Sequence, residues 1–277
     1  MTKNVIILVL LFSPLMLAAS LNPGVQSISE QNTEQERLKE LLRKTGEYCR
    51  LLEKAAIDFV CLEEISEKID RSRDYPWIPI RFRRNTYVYD YQFIKKNYMI
   101  EEARILLEEN GKERYEKNAD LKTAAFRYKN ILFGPIDILS KARQEYFDYR
   151  IMTEDEAGED AVVVLEAIPR SNEQYSAFGK IWIKKDDFSI LKIEWHPKSI
   201  RNFEEVAEIA ERYKSEPDIT IFTEFSYEKN AIRFPGEYRI IEAYINKKGK
   251  RFLRSETIVI YKNYKFFTVE TDVTYKK

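Results

Sequence analysis

Apolar positions along the chain follow two periods, and the change from one to the other sets out the elements. Leu38, Leu41, Leu42, Cys49, Leu52 and Ala56 return at three- and four-residue steps or nearly so, the period of one helix face. Thr33 and Glu36 have the spacing of a capping box, which places the helix start at Thr33. Around Ile57 the period changes, and DFVCLEEISEKID alternates as a strand does. Tyr87, Tyr89, Tyr91 and Phe93 fall on one face of a second strand, Lys95-Lys96-Asn97 supplies a turn, and the return arm runs to Asn110-Gly111. Residues 111–130 read as polar connection with a short strand at 124–128. FGPIDILSKARQEYFDY then predicts a helix, with Pro135 in its first turn and Ile138, Leu139, Ala142 and Tyr146 on one face.

Beyond residue 147 the chain returns to strands. YRIMT and AVVVLEAIP flank the acidic turn EDEAGED. FGKIWIKKDDFSILKIEWHP (178–197) is a hairpin broken at Lys-Lys-Asp-Asp, with Ile181 and Ile183 on a face of one arm and Leu191, Ile193 and Trp195 on a face of the other. A helix is expected at 199–214, with Asn202 and Glu205 as a second capping box. Strands at 218–228, 237–246, 250–262 and 265–275 complete the chain, the last two joined by a turn at Lys262-Asn263-Tyr264. Long successive hairpins favour one sheet over two small domains. The expected fold is α+β: a single strongly curved antiparallel sheet of about ten strands, with helices covering its concave side.

The N-terminus changes the setting. Lys3 precedes an apolar run from Val5 to Leu17, interrupted only by Ser13 and Pro14, and Ala18-Ala19-Ser20 offers small residues for cleavage. The run is short of the roughly 20 apolar residues of a permanent span, so a signal peptide over 1–20 is expected, with an uncleaved anchor as the alternative. No cysteine follows it to accept a lipid. The expected organisation is then a flexible polar terminus at 21–33 and one domain at 34–277. In an oxidising compartment Cys49 and Cys61 become a disulfide candidate. A straight helix would hold them about 18 Å apart, so a bridge requires the chain to reverse between them; two buried thiols are the alternative.

Totals exclude several classes of function. Lys plus Arg and Asp plus Glu stand at 46 each, so no global field favours nucleic acid or an anionic membrane. The chain has 8 glycines and neither of the glycine-rich phosphate signatures, so no nucleotide cofactor is expected, nor any other. His196 is the sole histidine, at the end of a hairpin arm, which leaves metal sites and Ser-His or Cys-His catalysis without partners. Adjacent acids such as Glu63-Glu64 and Glu101-Glu102 point to opposite faces of a strand, and Asp186-Asp187 and Glu108-Glu109 suit turns. No enzyme is expected. The connector at 70–84 carries Arg71, Arg73, Arg81, Arg83 and Arg84 around Trp77 and Phe82, the densest basic patch of the chain. It suits a lipid-headgroup or nucleic-acid contact or, more simply, a solvated loop; no nucleic-acid-binding signature accompanies it.

What remains is binding. The apolar face made by Tyr87, Tyr89, Tyr91, Phe93, Ile181, Ile183, Leu191, Ile193 and Trp195 suits either the wall of an acyl-sized cavity or a packed core whose protein serves as an interaction module. A helix leading into the first strand, successive long strands and GKIWIKKDDFSILKIEWHPKS together resemble the LolA/LolB-like superfamily, most of all the outer-membrane lipoprotein-sorting proteins. Gly179, Ile181, Asp187, Ile190, Leu191, Ile193 and Glu194 fit a pattern of that group, and IVIYKNYKFFTVETDVTY is similar to its last strands. The resemblance spans most of 34–277. It implies a half-barrel lidded by helices that binds the acyl chains of a lipid or acylated lipoprotein in the periplasm, as carrier or sensor, with envelope proteins as further partners. The cysteines, the basic connector and the helix at 199–214 depart from it, and no ligand-gating residue carries over.

Overall fold

The computed structural model describes residues 23–56, 59–74, 77, 82–96, 99–123, 134–154, 161–171, 177–199 and 203–267. In chain order the elements are α1 (Pro23–Ala55), β1 (Phe59–Asp70), β2 (Phe82–Lys96), β3 (Met99–Glu109), β4 (Lys112–Lys117), α2 (Gly134–Leu139), β5 (Phe147–Glu154), β6 (Val162–Pro169), β7 (Gly179–Lys184) and β8 (Ile190–Trp195). They continue with α3 (Phe203–Tyr213), β9 (Ser215–Glu224), β10 (Tyr227–Lys229), β11 (Ile232–Phe234), β12 (Glu237–Asn246) and β13 (Arg251–Phe266). Backbone contacts divide the chain into Met1–Arg37 and Leu38–Lys277. The first unit is described only from Pro23, as helix; the sheet lies in the second.

Eleven described strands form one antiparallel sheet in the order β4-β3-β2-β1-β13-β12-β9-β8-β7-β6-β5, and β10 with β11 makes a separate ribbon. The sheet is open and curved, as the long hairpins predict, because each strand pair adds a twist of about 20–25°. Followed across the sheet, the strands keep cyclic chain order with one break, between β4 and β5. The two edges are therefore consecutive in sequence, and the first and last strands pair in the middle. Alternation decides the faces: in β1 every second residue from Phe59 to Ile69 is buried and the others are half-exposed. The edge strand β4, Lys-Glu-Arg-Tyr-Glu-Lys, is exposed throughout, and its charges blunt the edge against further pairing.

Several expected elements differ in extent. α1 starts at Pro23, a favoured first helical residue, so Thr33 lies inside the helix and most of the segment expected to be flexible is helical backbone. The helix expected over 133–149 stops at Leu139; a 3-10 turn at Gln144–Tyr146 follows, and Phe147 opens β5. The polar connection at 111–130 contains β4. β9 ends at Glu224, and its expected continuation is the β10–β11 ribbon, whose turn residues Asn230 and Ala231 both take positive φ (52° and 60°). The turn expected at Lys262-Asn263-Tyr264 is a bulge inside one continuous β13: Asn263 has φ 58°, and the β1 register shifts between Val60 and Leu62. Asn tolerates this left-handed backbone in a bulge as in a hairpin, so local chemistry does not separate the two. The expected signal segment at 1–20, the strand at 124–128 and the capping residue Asn202 lie outside the described residues.

The expected disulfide is absent, and Cys49 and Cys61 are buried free thiols. α1 continues past Cys49 to Ala55 before β1 begins, so the reversal comes too late to bring the two sulfurs together. Cys49 Sγ instead donates to the Pro135 carbonyl at 3.4 Å, while Cys61 lies across from Tyr91 on β2 and beside the Tyr264 hydroxyl.

Candidate functional site

The sheet's buried face is where every residue singled out for binding was expected to lie. Tyr87, Tyr89, Tyr91 and Phe93 are all buried on β2, and Ile181, Ile183, Ile193 and Trp195 on β7 and β8. Leu191 is the exception, being only half-buried. The register between β7 and β8 slips by one residue between Trp182 and Ile183, which sets Ile190 opposite Ile183 and gives it the core position expected for Leu191. Turn chemistry causes the slip: Asp187 accepts the Ser189 amide at 2.9 Å, and Phe188 takes φ 58°.

These residues form two groups. β1, β13, β12 and β9 stand between β2 and β8, so the tyrosine group and the isoleucine group occupy opposite halves of one wall. Buried apolar residues on the intervening strands, including Ile65, Val259, Ile240 and Ile221, join them into a single hydrophobic cluster.

The isoleucine half is aliphatic and roofed by helices. α1 contributes Leu41, Tyr48, Cys49 and Leu52, and α2 contributes Ile138 and Leu139. α2 sits so close that a Cβ at Gly134 would come within 2.6 Å of the Trp195 ring, so this position needs glycine. Trp195 Nε1 donates to Thr223 Oγ1 at 2.9 Å, which fixes the ring. The roof is fastened by few hydrogen bonds: Gln144 Nε2 donates to the Leu42 and Leu139 carbonyls at 2.7 and 2.8 Å, and Tyr48 Oη accepts the Arg233 amide at 2.9 Å. Lys44 of α1 also lies over the Phe188 ring at the tip of the β7–β8 hairpin.

The tyrosine half carries buried charge. Glu63, unexposed on β1, accepts two hydrogen bonds from Arg104 of β3, at 2.6 and 3.0 Å, and a third from Tyr261 of β13 at 3.0 Å. Tyr91 donates to Glu102 at 2.7 Å, and the Arg104 guanidinium lies 4.8 Å from the Tyr91 ring centre. Burial works against the charged guanidinium, but Glu63 more than offsets it and raises the Arg104 pKa. Burial, then the Glu102 charge, push the Tyr91 hydroxyl well up. Tyr89 Oη accepts the Lys122 amide at 3.2 Å, which holds the segment after β4 over this half. The adjacent acids do face opposite ways, with Glu64 paired outward to Lys262. The missing signal was Arg104, whose spacing from Glu102 and Leu106 puts it on the inward face of β3.

A second buried network pins the connector after β1. Arg254 donates to both oxygens of Glu242, at 3.0 and 2.9 Å, and reaches Asp74 at 3.4 Å. Tyr213 of α3 also donates to Asp74, and Ser255 and Tyr244 donate to Glu242. His196 takes the strand-end role expected of it: it is exposed, stacks on Phe178 at 4.5 Å, and its Nδ1 accepts the Lys198 amide. Burial, then the Lys198 charge, lower its pKa. Among the described residues no group of three or more His, Cys, Asp or Glu is arranged to hold a metal ion.

No protein-family model and no curated protein matches the chain. Solved structures do. An outer membrane lipoprotein-sorting protein domain from Vibrio parahaemolyticus matches at 12% identity and TM-score 0.39, over 83% of this chain and 94% of that one. A LolA superfamily protein from Nitrosomonas europaea matches at 12% identity and TM-score 0.34, over 80% and 94%. A DUF1329 family protein from Desulfovibrio piger matches at 10% identity and TM-score 0.36, over 83% and 95%. The first two belong to the groups that the 179–199 segment resembles. At these values the likeness carries no argument, and the chemistry is read from this chain's own residues.

Proposed function

We propose that this chain binds the acyl chains of a lipid or acylated lipoprotein on the inner face of its sheet, as a carrier or sensor in the periplasm, and that it is not an enzyme. One observation carries the reading. The apolar wall runs across the inner face of an open sheet, and its cover is made of α1, α2 and the segment after β4. Among the described residues these elements attach by side-chain packing and isolated hydrogen bonds, none by strand pairing. An acyl chain replacing the cover's contacts would regain about 0.8 kcal/mol per buried CH₂ without disturbing the ladder. The lipoprotein-sorting resemblance of the hairpin supports the same ligand class.

Delipidated protein titrated with a fluorescent fatty-acyl probe should show saturable binding, with α1 amides exchanging faster when the probe is bound. Folded protein that takes up no probe would instead support the second reading, an exported interaction module whose sheet face is wholly core. Ester-linked lipid incubated with the protein should come back intact.

A further inference from the structure

Equal totals of acid and base conceal an uneven distribution. β13 runs past the end of β1, since Ile69 lies opposite Ser255 while β13 begins at Arg251. The β12–β13 turn therefore stands at the same end of the sheet as the β1–β2 connector. Exposed Arg71, Arg73, Arg83 and Arg84 lie on one side of that end, and exposed Lys247, Lys248 and Lys250 on the other. The Arg73 guanidinium, 3.7 Å from the ring centre of Phe252, ties the two sides together.

Of the nearby acids most are committed, Glu216 beside the β12–β13 turn being an exposed exception. Asp74 is taken by Arg254, Arg212 and Tyr213, Asp218 by Arg251, and Asp70 accepts the Ser72 amide in its own turn. Arg71, Arg84 and the turn lysines form no ion pair among the described residues. Two large aromatic side chains project at this corner: Trp77 is 76% exposed and Phe82 51%, with Lys68 over the Phe82 ring. Uncommitted cations around exposed aromatic rings suit a surface where negative headgroups border hydrocarbon, for the rings enter the boundary while the cations meet the phosphates. Groove readers of nucleic acid insert a helix or a free two-stranded ribbon; the β12–β13 hairpin at this corner is instead held in the sheet, paired to β9 as far as Asn246.

We propose that this end of the sheet docks on an anionic bilayer surface. The proposal is independent of the acyl-binding reading, because it concerns the outside of the sheet end. Full-length protein is sedimented with vesicles of phosphatidylcholine alone or mixed with phosphatidylglycerol. The apolar run at 5–17 is common to wild type and variants, so differences between them report the basic end. Binding should rise with phosphatidylglycerol and fall with added salt. Arg71→Ser, Arg84→Ser, Lys247→Ser and Lys248→Ser should each weaken it about fivefold, while Lys39→Ser and Lys198→Ser leave it unchanged. Anionic vesicles should also shift Trp emission to the blue, and Trp77→Phe should abolish the shift. No gain from neutral to anionic vesicles, wild-type binding by the basic variants, or an unshifted emission would each overturn the proposal. Double-stranded DNA held as tightly as the anionic vesicles would overturn it too, assigning the end to polyanions at large.

Discussion

Arg104 reaches across β2 to a carboxylate on β1, and neither partner has water to fall back on. Removing one partner of a buried pair leaves an uncompensated charge, at a cost of about 3–5 kcal/mol. Arg104→Met should therefore lower stability to urea by that amount, and the double variant with Glu63→Leu should recover much of the loss. Tyr48 and Tyr89 are each pushed up to about 12, mainly by burial. The unfolded chain releases these protons near the ordinary value of about 10, so the stability they contribute is intact below that pH and is lost as pH rises toward 12. A denaturation series across this window should fall with pH, and Tyr89→Phe should make the fall shallower. Burial likewise pushes the Cys49 thiol up to about 12. Both cysteines should resist alkylation until the chain unfolds, and reductant should leave the melting temperature unchanged.

At the scale of elements, α1 depends on its fastenings more than on its own helix propensity. Gln144→Ala removes two hydrogen bonds to backbone carbonyls, about 1–3 kcal/mol in sum, and should speed hydrogen exchange in α1 ahead of the sheet. Unchanged protection in α1 would mean that packing alone holds it. Elements whose buried face is apolar at every second position, such as the tyrosine strand β2, were legible from sequence because burial on one face writes itself as a period of two. The errors fall where local chemistry has two outcomes: Asn263 serves a bulge as readily as a turn, and the slip at Asp187 moves the core position from Leu191 to Ile190. The helix after Pro135 was overextended because Ala142 and Tyr146 fit a helical face, yet the sheet edge claims the chain from Phe147. The buried Glu63–Arg104 pair stayed hidden because nothing local ties residues so far apart in sequence; strand order alone makes them neighbours.

For the whole molecule, strand order turns a neutral composition into a polarised object. Hairpin connections gather arginines and lysines at one end of the sheet, while no total over the chain reports it. The same order has a consequence in time. β1 is made well before its sheet neighbour β13, so the seam between them closes only once Arg251–Phe266 has been made. Until then β1–β4 and β5–β12 are two separate meanders, whose raw edges, β1 and β12, both await β13. Such distant pairing is slow to form, which prolongs the exposure of both edges. A chain ending before Arg251 should never complete the sheet and should aggregate through the bare edges of β1 and β12.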